Sequence, residues 1–206
     1  MKKNKISKNW INKQNRDPYF KRSKIEGYRS RSAYKLLEIN NKFKILKNNI
    51  SLLDLGSSPG GWSQVSSKYI KNGKILAIDI KKMEAINRVK FILGDINDQE
   101  SIIKIKDYFD NKIDVIISDM AANTTGNKNL DSYRTGELCL KAMELATKLL
   151  DDKEGVFLTK VFMGSIFNEI DEKAKKCFKK VIKYKPLSSR SKSKEIYIFC
   201  KGVLII

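Results

Sequence analysis

The chain has 206 residues, and its 42 Lys and Arg against 23 Asp and Glu give a formal charge of +19 and a pI near 9.7. That length suits one α/β domain with a sizeable core and excludes two full-sized ones, and the charge points to a polyanion such as nucleic acid, discounted because an Asn- and Ile-crowded sequence has the look of an AT-rich coding bias that inflates Lys. There is no histidine, and Cys139, Cys177 and Cys200 are odd in number and widely spaced, which argues for free thiols in a reducing compartment and against a zinc or other metal site.

From Met1 to about Arg31 the sequence is basic and polar, and reads as an extension (1–31) ahead of a domain over 32–206. Its rings, Trp10, Tyr19, Phe20 and Tyr28, can cover the core or stack on RNA bases. Ser32 is the candidate N-cap of a helix running through Asn40, with Leu36, Leu37 and Ile39 turned inward and Lys35 in its middle. Taken alone, Lys35 is most simply a solvated helix charge.

An apolar strand over 51–55 then runs into Asp54-Leu-Gly-Ser-Ser-Pro-Gly-Gly-Trp62, followed by a helix over 60–70. Gly56, Gly60 and Gly61 have neither the Gly-x-Gly-x-x-Gly spacing of dinucleotide folds nor the Gly-Lys-Ser/Thr ending of a phosphate loop. Glycines at such a turn let the backbone bend and approach a ligand that lacks a pyrophosphate, which suits S-adenosylmethionine, an adenosine joined to a sulfonium and an amino acid. Without a second cofactor residue, the turn reads equally well as structural.

That second residue comes about twenty positions later, as in Rossmann-like folds, where an acid ending the strand holds the ribose hydroxyls. It is Asp79, at the end of a strand over 74–80. A strand over 89–93 leads to Asp95, placed to reach an adenine amino group; a helix over 98–109 and a strand over 113–118 ending at Asp119 follow. Each acid singly could be a solvated strand end or a cap, but three successive strands ending this way favour a site. Beyond lie a helix over 132–150, a strand over 155–162, a helix over 165–178, and strands over 180–185 and 195–204 whose short connection predicts an antiparallel hairpin. The alternation implies an α/β, Rossmann-like fold, a single mostly parallel seven-stranded sheet with helices on both faces. No window is long and apolar enough for a membrane helix or signal-peptide core, so a cytoplasmic protein is expected.

Without histidine, proton transfer near neutral pH falls to Lys, carboxylate, Tyr or Cys. Lys160 stands out because period-two alternation puts it on the face of Val156, Leu158 and Phe162, where an ammonium is costly unless paired. The alternative is a strand-end lysine snorkelling to water. Asp119, at the carboxyl end of a neighbouring strand, offers the pairing, at the edge where open α/β sheets bind ligands. Glu195, at the start of the last strand, could reach the same cleft, although alone it reads as a surface residue.

Taken together these segments resemble the FtsJ-type ribose 2′-O-methyltransferases, and among them the bacterial branch that acts on 23S ribosomal RNA. The matching stretches are Arg29-Ser-Arg-Ser-Ala-Tyr-Lys35, Asp54 to Gln64, Ser118-Asp-Met-Ala-Ala-Asn123, Lys160-Val-Phe-Met-Gly164 and Ser188 to Tyr197, in family order. The resemblance implies a catalytic set of Lys35, Asp119, Lys160 and Glu195, with Lys160 as proton acceptor. It also implies S-adenosylmethionine contacts from Gly56, Gly60, Gly61, Trp62, Asp79, Asp95 and Asp119, and an A-loop uridine of the assembled large ribosomal subunit as target of a monomeric enzyme. One departure is Ala122, where the family has proline. The rival readings are a 2′-O-methyltransferase of transfer RNA or of a messenger RNA cap, a ribosome-assembly factor that binds RNA without catalysis, and, last, a small-molecule methyltransferase.

Overall fold

Leu52, Leu53 and Leu55, Ile75 to Ile78, and Val115 to Ile117 are apolar runs without alternation, a pattern that fits strands buried on both faces of a parallel sheet. The computed structural model describes residues 14 and 16–204 except 111 and 124, so Trp10 lies outside the described residues. Helices α1 (Pro18–Ile25) and α2 (Ala33–Phe43) precede β1 (Ser51–Leu55), α3 (Gly61–Tyr69), β2 (Lys74–Asp79) and β3 (Lys90–Leu93). Then come α4 (Gln99–Tyr108), β4 (Val115–Ser118), α5 (Lys128–Leu149), β5 (Val156–Phe162), α6 (Phe167–Cys177), β6 (Phe178–Tyr184) and β7 (Glu195–Val203). They form one seven-stranded sheet of order β3-β2-β1-β4-β5-β7-β6. The first five strands pair in parallel, and β7 inserts antiparallel between β5 and β6.

A buried apolar layer lies on each face. One joins Ile105 of α4, Met143 of α5 and Ile170 of α6 to Leu53, Ile116 and Phe157; the other joins Leu36 of α2 and Val65 of α3 to Leu52, Ile117 and Leu158. Tyr28 is buried in the second layer and Tyr19 packs against it, their rings 5.6 and 5.4 Å from that of Tyr34. Within the segment 17–31 these two rings therefore cover the core.

Three local expectations need correction. Ser32 does not cap α2 with its side chain; its hydroxyl meets that of Ser30 at 2.6 Å. Helix α5 begins a turn before Ser132, because the Asn127 side chain accepts hydrogen bonds from the Asn129 and Leu130 amides. Strand β6 begins at Phe178, directly after α6, because Phe178 is 2% exposed and pairs with Val203. No described helix is long and apolar enough to cross a membrane.

Strand order reverses between β1 and β4, and the carboxyl ends of β1, β2, β3 and β4 share one edge. Because β7 runs antiparallel, its first residue reaches that edge too, with Glu195 registered against Phe162. The sheet thereby gathers Gly56, Asp79, Asp95, Asp119, Lys160 and Glu195, scattered over the sequence, at the place where open α/β sheets bind ligands.

Candidate active site

Two ion pairs meet at this edge. The parallel register Ser118↔Thr159 carries Asp119 beside Lys160. The Lys160 Nζ lies 3.1 Å from Asp119 Oδ1 and donates to the Asp119 carbonyl oxygen at 2.6 Å. Tyr197, paired with Lys160 across β5 and β7, donates its hydroxyl to the same Oδ1 at 2.8 Å. Two residues earlier on β7, Glu195 Oε1 sits 2.6 Å from Lys35 Nζ, supplied by α2. The Lys35 ammonium lies 5.9 Å from the centre of the Tyr197 ring, which links the two pairs.

Lys35, Lys160 and Glu195 are 9%, 7% and 8% exposed. Burying charge to this degree is tolerable only with partners, and two ammoniums facing two carboxylates leave the group formally neutral. Burial pushes the Asp119 carboxyl upward, but Lys160, Lys35 and the Tyr197 hydroxyl outweigh it and hold the group below its ordinary value. Burial, then Asp119 and Glu195, push the Tyr197 hydroxyl well above its own, so it stays a donor. Sequence reasoning missed Tyr197, although it shares a face of β7 with Glu195.

Beside Asp119 opens a cavity of about 420 Å³ whose walls include Gly56, Asp79, Ile80, Asp95 and Leu138. Asp79 Oδ2 accepts from the Ser58 amide and Oδ1 from the Lys81 amide, both at 2.8 Å, which fixes the carboxylate at the end of β2. Asp95 Oδ1 accepts from the Asn97 amide and side chain. Two fixed acceptors, an apolar wall and a glycine turn fit an adenosine with its ribose diol. Gly60, Gly61 and Trp62 do not line this cavity: Gly61 packs on Ser30, and the buried Trp62 indole donates to the Ser32 carbonyl at 2.9 Å. Arg29 ties the turn to the loop between β2 and β3, donating to the carbonyls of Pro59, Glu84 and Ala85. Among the described residues no cluster of three or more His, Cys, Asp or Glu could hold a metal ion, and the cysteines are free.

The FtsJ-like methyltransferase family matches residues 28–203. The chain belongs to that family. It is 56% identical to the ribosomal RNA large subunit methyltransferase E of Pelagibacter ubique, over 98% of both chains. With the protein of that name from Rickettsia akari it shares 48%, over 93% of this chain and 87% of the relative. Among solved structures, a Plasmodium falciparum protein provisionally assigned as a ribosomal RNA methyltransferase superposes with a TM-score of 0.76 at 36% identity, over 86% of this chain and 99% of that one. A Streptococcus mutans methyltransferase-like protein, solved with S-adenosylhomocysteine, has a TM-score of 0.53 at 16% identity over 84% and 95% of the two chains, a likeness of fold. As an FtsJ-like methyltransferase the chain takes S-adenosylmethionine as methyl donor.

The family's glycine turn makes a testable demand here. Gly56 has φ +72, and a Cβ there would stand 2.3 Å from Met120 Cγ and 3.2 Å from Met120 Cα, next to Asp119. Gly56→Ala is therefore expected to cost about 1–2 kcal/mol of stability from the left-handed backbone, and to weaken S-adenosylhomocysteine binding about ten-fold by pushing Met120 into the cavity. Thermal denaturation and titration calorimetry check both; unchanged binding would remove Gly56 from the cofactor set.

Proposed function

We propose that the chain methylates a ribose 2′-hydroxyl of large-subunit ribosomal RNA, a uridine of the A-loop in the assembled subunit, with Lys160 as proton acceptor. The observation that carries this reading is the buried pairing of Lys160 with Asp119 beside the cavity, backed by Lys35 and Glu195. The names of the Pelagibacter and Rickettsia relatives support the ribosomal substrate.

In this reading Gly56, Asp79 and Asp95 hold the cofactor, with Gly60, Gly61 and Trp62 shaping the turn from behind. S-adenosylmethionine supplies a methyl group already activated by its sulfonium. The protein's task is then to align the hydroxyl and remove its proton. Lys160, having given up its resting proton, would accept the hydroxyl proton at Nζ while the methyl carbon passes from sulfur to the hydroxyl oxygen and S-adenosylhomocysteine is left. The Asp119 carboxylate, fixed by Tyr197, balances the ammonium that results. Lys35 and Glu195, paired with each other, hold the ribose.

The test is transfer of labelled methyl to unmethylated large subunits, to deproteinised large-subunit RNA and to bulk transfer RNA. Label in ribosomal material that survives alkali as a 2′-O-methyl dinucleotide is the expected result. Label on transfer RNA alone overturns the substrate, and no label despite cofactor binding overturns the enzyme in favour of a ribosome-assembly role. A charge of +19 further implies that RNA binding weakens steeply with salt; a flat response in a filter-binding titration would count against a phosphate-binding face.

A further inference from the structure

A second cavity, of about 220 Å³, adjoins the ion pairs: Lys35 and Glu195 line it together with Arg31, Phe162, Arg190 and Ser193. Its arginines are held by one buried carboxylate. Asp17, 8% exposed, caps α1 with Oδ1, which accepts from the Tyr19 and Phe20 amides at 3.1 and 3.3 Å. Its Oδ2 takes a hydrogen bond from Arg31 and another from Arg190 Nε at 3.1 Å. Both terminal nitrogens of Arg31 are committed, the second donating to the Ser188 carbonyl, and its Nε is buried without a partner among the described residues. Arg190 differs: only its Nε is engaged, its side chain is 40% exposed, and among the described residues Nη1 and Nη2 have no partner. The cavity and its anchor hold three cations, Arg31, Lys35 and Arg190, against the carboxylates of Asp17 and Glu195. The surplus of one positive charge matches one phosphodiester.

We propose that Arg190 binds the phosphodiester flanking the ribose to be methylated, and that Asp17 is the positioning residue that aims it. This rests on the RNA 2′-O-methyl transfer proposed above, and it goes beyond a generally basic surface by naming one guanidinium and its anchor. A guanidinium presents its two terminal nitrogens as a planar fork that matches two phosphate oxygens. Such a fork is useful only if its plane is fixed, and the Nε bond to Asp17 fixes it. In an RNA strand a phosphate lies next to every 2′-hydroxyl, so a cavity sharing Lys35 and Glu195 with the reacting pair stands where that phosphate must go. The contact fixes the strand's position without reading its sequence.

The experiment compares wild type, Arg190→Ala, Asp17→Asn and the double variant by RNA binding across a salt series, by kcat/KM for methyl transfer and by S-adenosylhomocysteine affinity. Asn caps a helix as well as Asp does, so Asp17→Asn keeps α1 while weakening the clamp. Arg190→Ala is expected to lower the salt slope of RNA binding by about one unit or slightly less, the signature of one lost phosphate contact. Both single variants should lose about ten-fold in kcat/KM, with the double variant no worse than either, because the two residues act through one contact. Cofactor affinity should stay at the wild-type value in every variant and the melting temperature in Arg190→Ala, whereas Asp17→Asn should melt lower because Arg31 loses its buried carboxylate. An unchanged salt slope in Arg190→Ala overturns the phosphate contact whatever happens to activity. Wild-type kcat/KM in Asp17→Asn, or a loss that follows cofactor affinity, overturns the positioning role. If the slope falls but wild type methylates no RNA, the reaction proposed above fails and the contact stands.

Discussion

Lys160→Ala should reduce methyl transfer by about 10³-fold, within the range for loss of a general base, while S-adenosylhomocysteine affinity stays close to that of wild type. The separation is expected because Lys160 Nζ bonds to Asp119, through one carboxylate oxygen and the main-chain carbonyl, whereas the cavity's fixed acceptors Asp79 and Asp95 take their hydrogen bonds from Ser58, Lys81 and Asn97. The change also leaves the buried Asp119 carboxylate with one ammonium fewer, and breaking a buried pair costs about 3–5 kcal/mol when nothing compensates. Here Tyr197 still donates to Asp119 at 2.8 Å and Lys35 remains nearby, so the loss should fall below that range. Lys160→Met, which keeps the apolar stem, separates the two effects: activity stays lost while the melting temperature recovers part of its fall. Loss of cofactor affinity in parallel with activity in both variants would make Lys160 a structural residue and remove the proposed base.

What the sequence disclosed of this site follows from the topology. In a parallel sheet every strand reaches the ligand edge with its carboxyl end, so acids closing successive apolar runs, Asp79, Asp95 and Asp119, were legible as one group. The antiparallel hairpin was legible from its short connection, and with it the arrival of Glu195 at the same edge. Lys35 was not legible as a buried charge, because its helix pattern is that of a solvated residue and its partner Glu195 lies on the last strand. The same distance in sequence hid the clamp of Asp17 on Arg190, 173 positions away. Asp17 did carry a local signal, an N-cap acid followed by proline, which marks the start of α1 inside a segment read as extension. Trp62, whose place in the glycine turn suggests a ligand contact, has its ring packed into the second core layer, 5.7 Å from that of Tyr197.

Asp54, next to last in the strand β1, should set the protein's pH dependence. It is 1% exposed, and its Oδ2 accepts from the Ser63 hydroxyl at 2.6 Å, while Oδ1 has no partner among the described residues. Burial pushes this carboxyl up from 3.8 to about 7, opposed by the Ser63 hydrogen bond and aided by the negative charges of Asp119 and Asp79. Between those two values the folded protein keeps a proton that the unfolded chain has released. The native state then binds more protons, so stability falls as pH rises, by up to ~1.4 kcal/mol per unit and on the order of 4 kcal/mol across the interval. Asp119 works in the opposite sense: its lowered value gives stability that is present above the ordinary carboxylate range and lost as pH falls through the folded value. The two slopes therefore occupy separate windows, and a single substitution isolates the first. Asp54→Asn keeps an acceptor for Ser63 and carries no charge, so its stability relative to wild type should grow from about pH 4 to about pH 7 and level off above. Urea denaturation of both proteins at a series of pH values measures the difference directly. Parallel curves would mean that Asp54 is ionised in the folded protein near its ordinary value, with some cation or water compensating the burial.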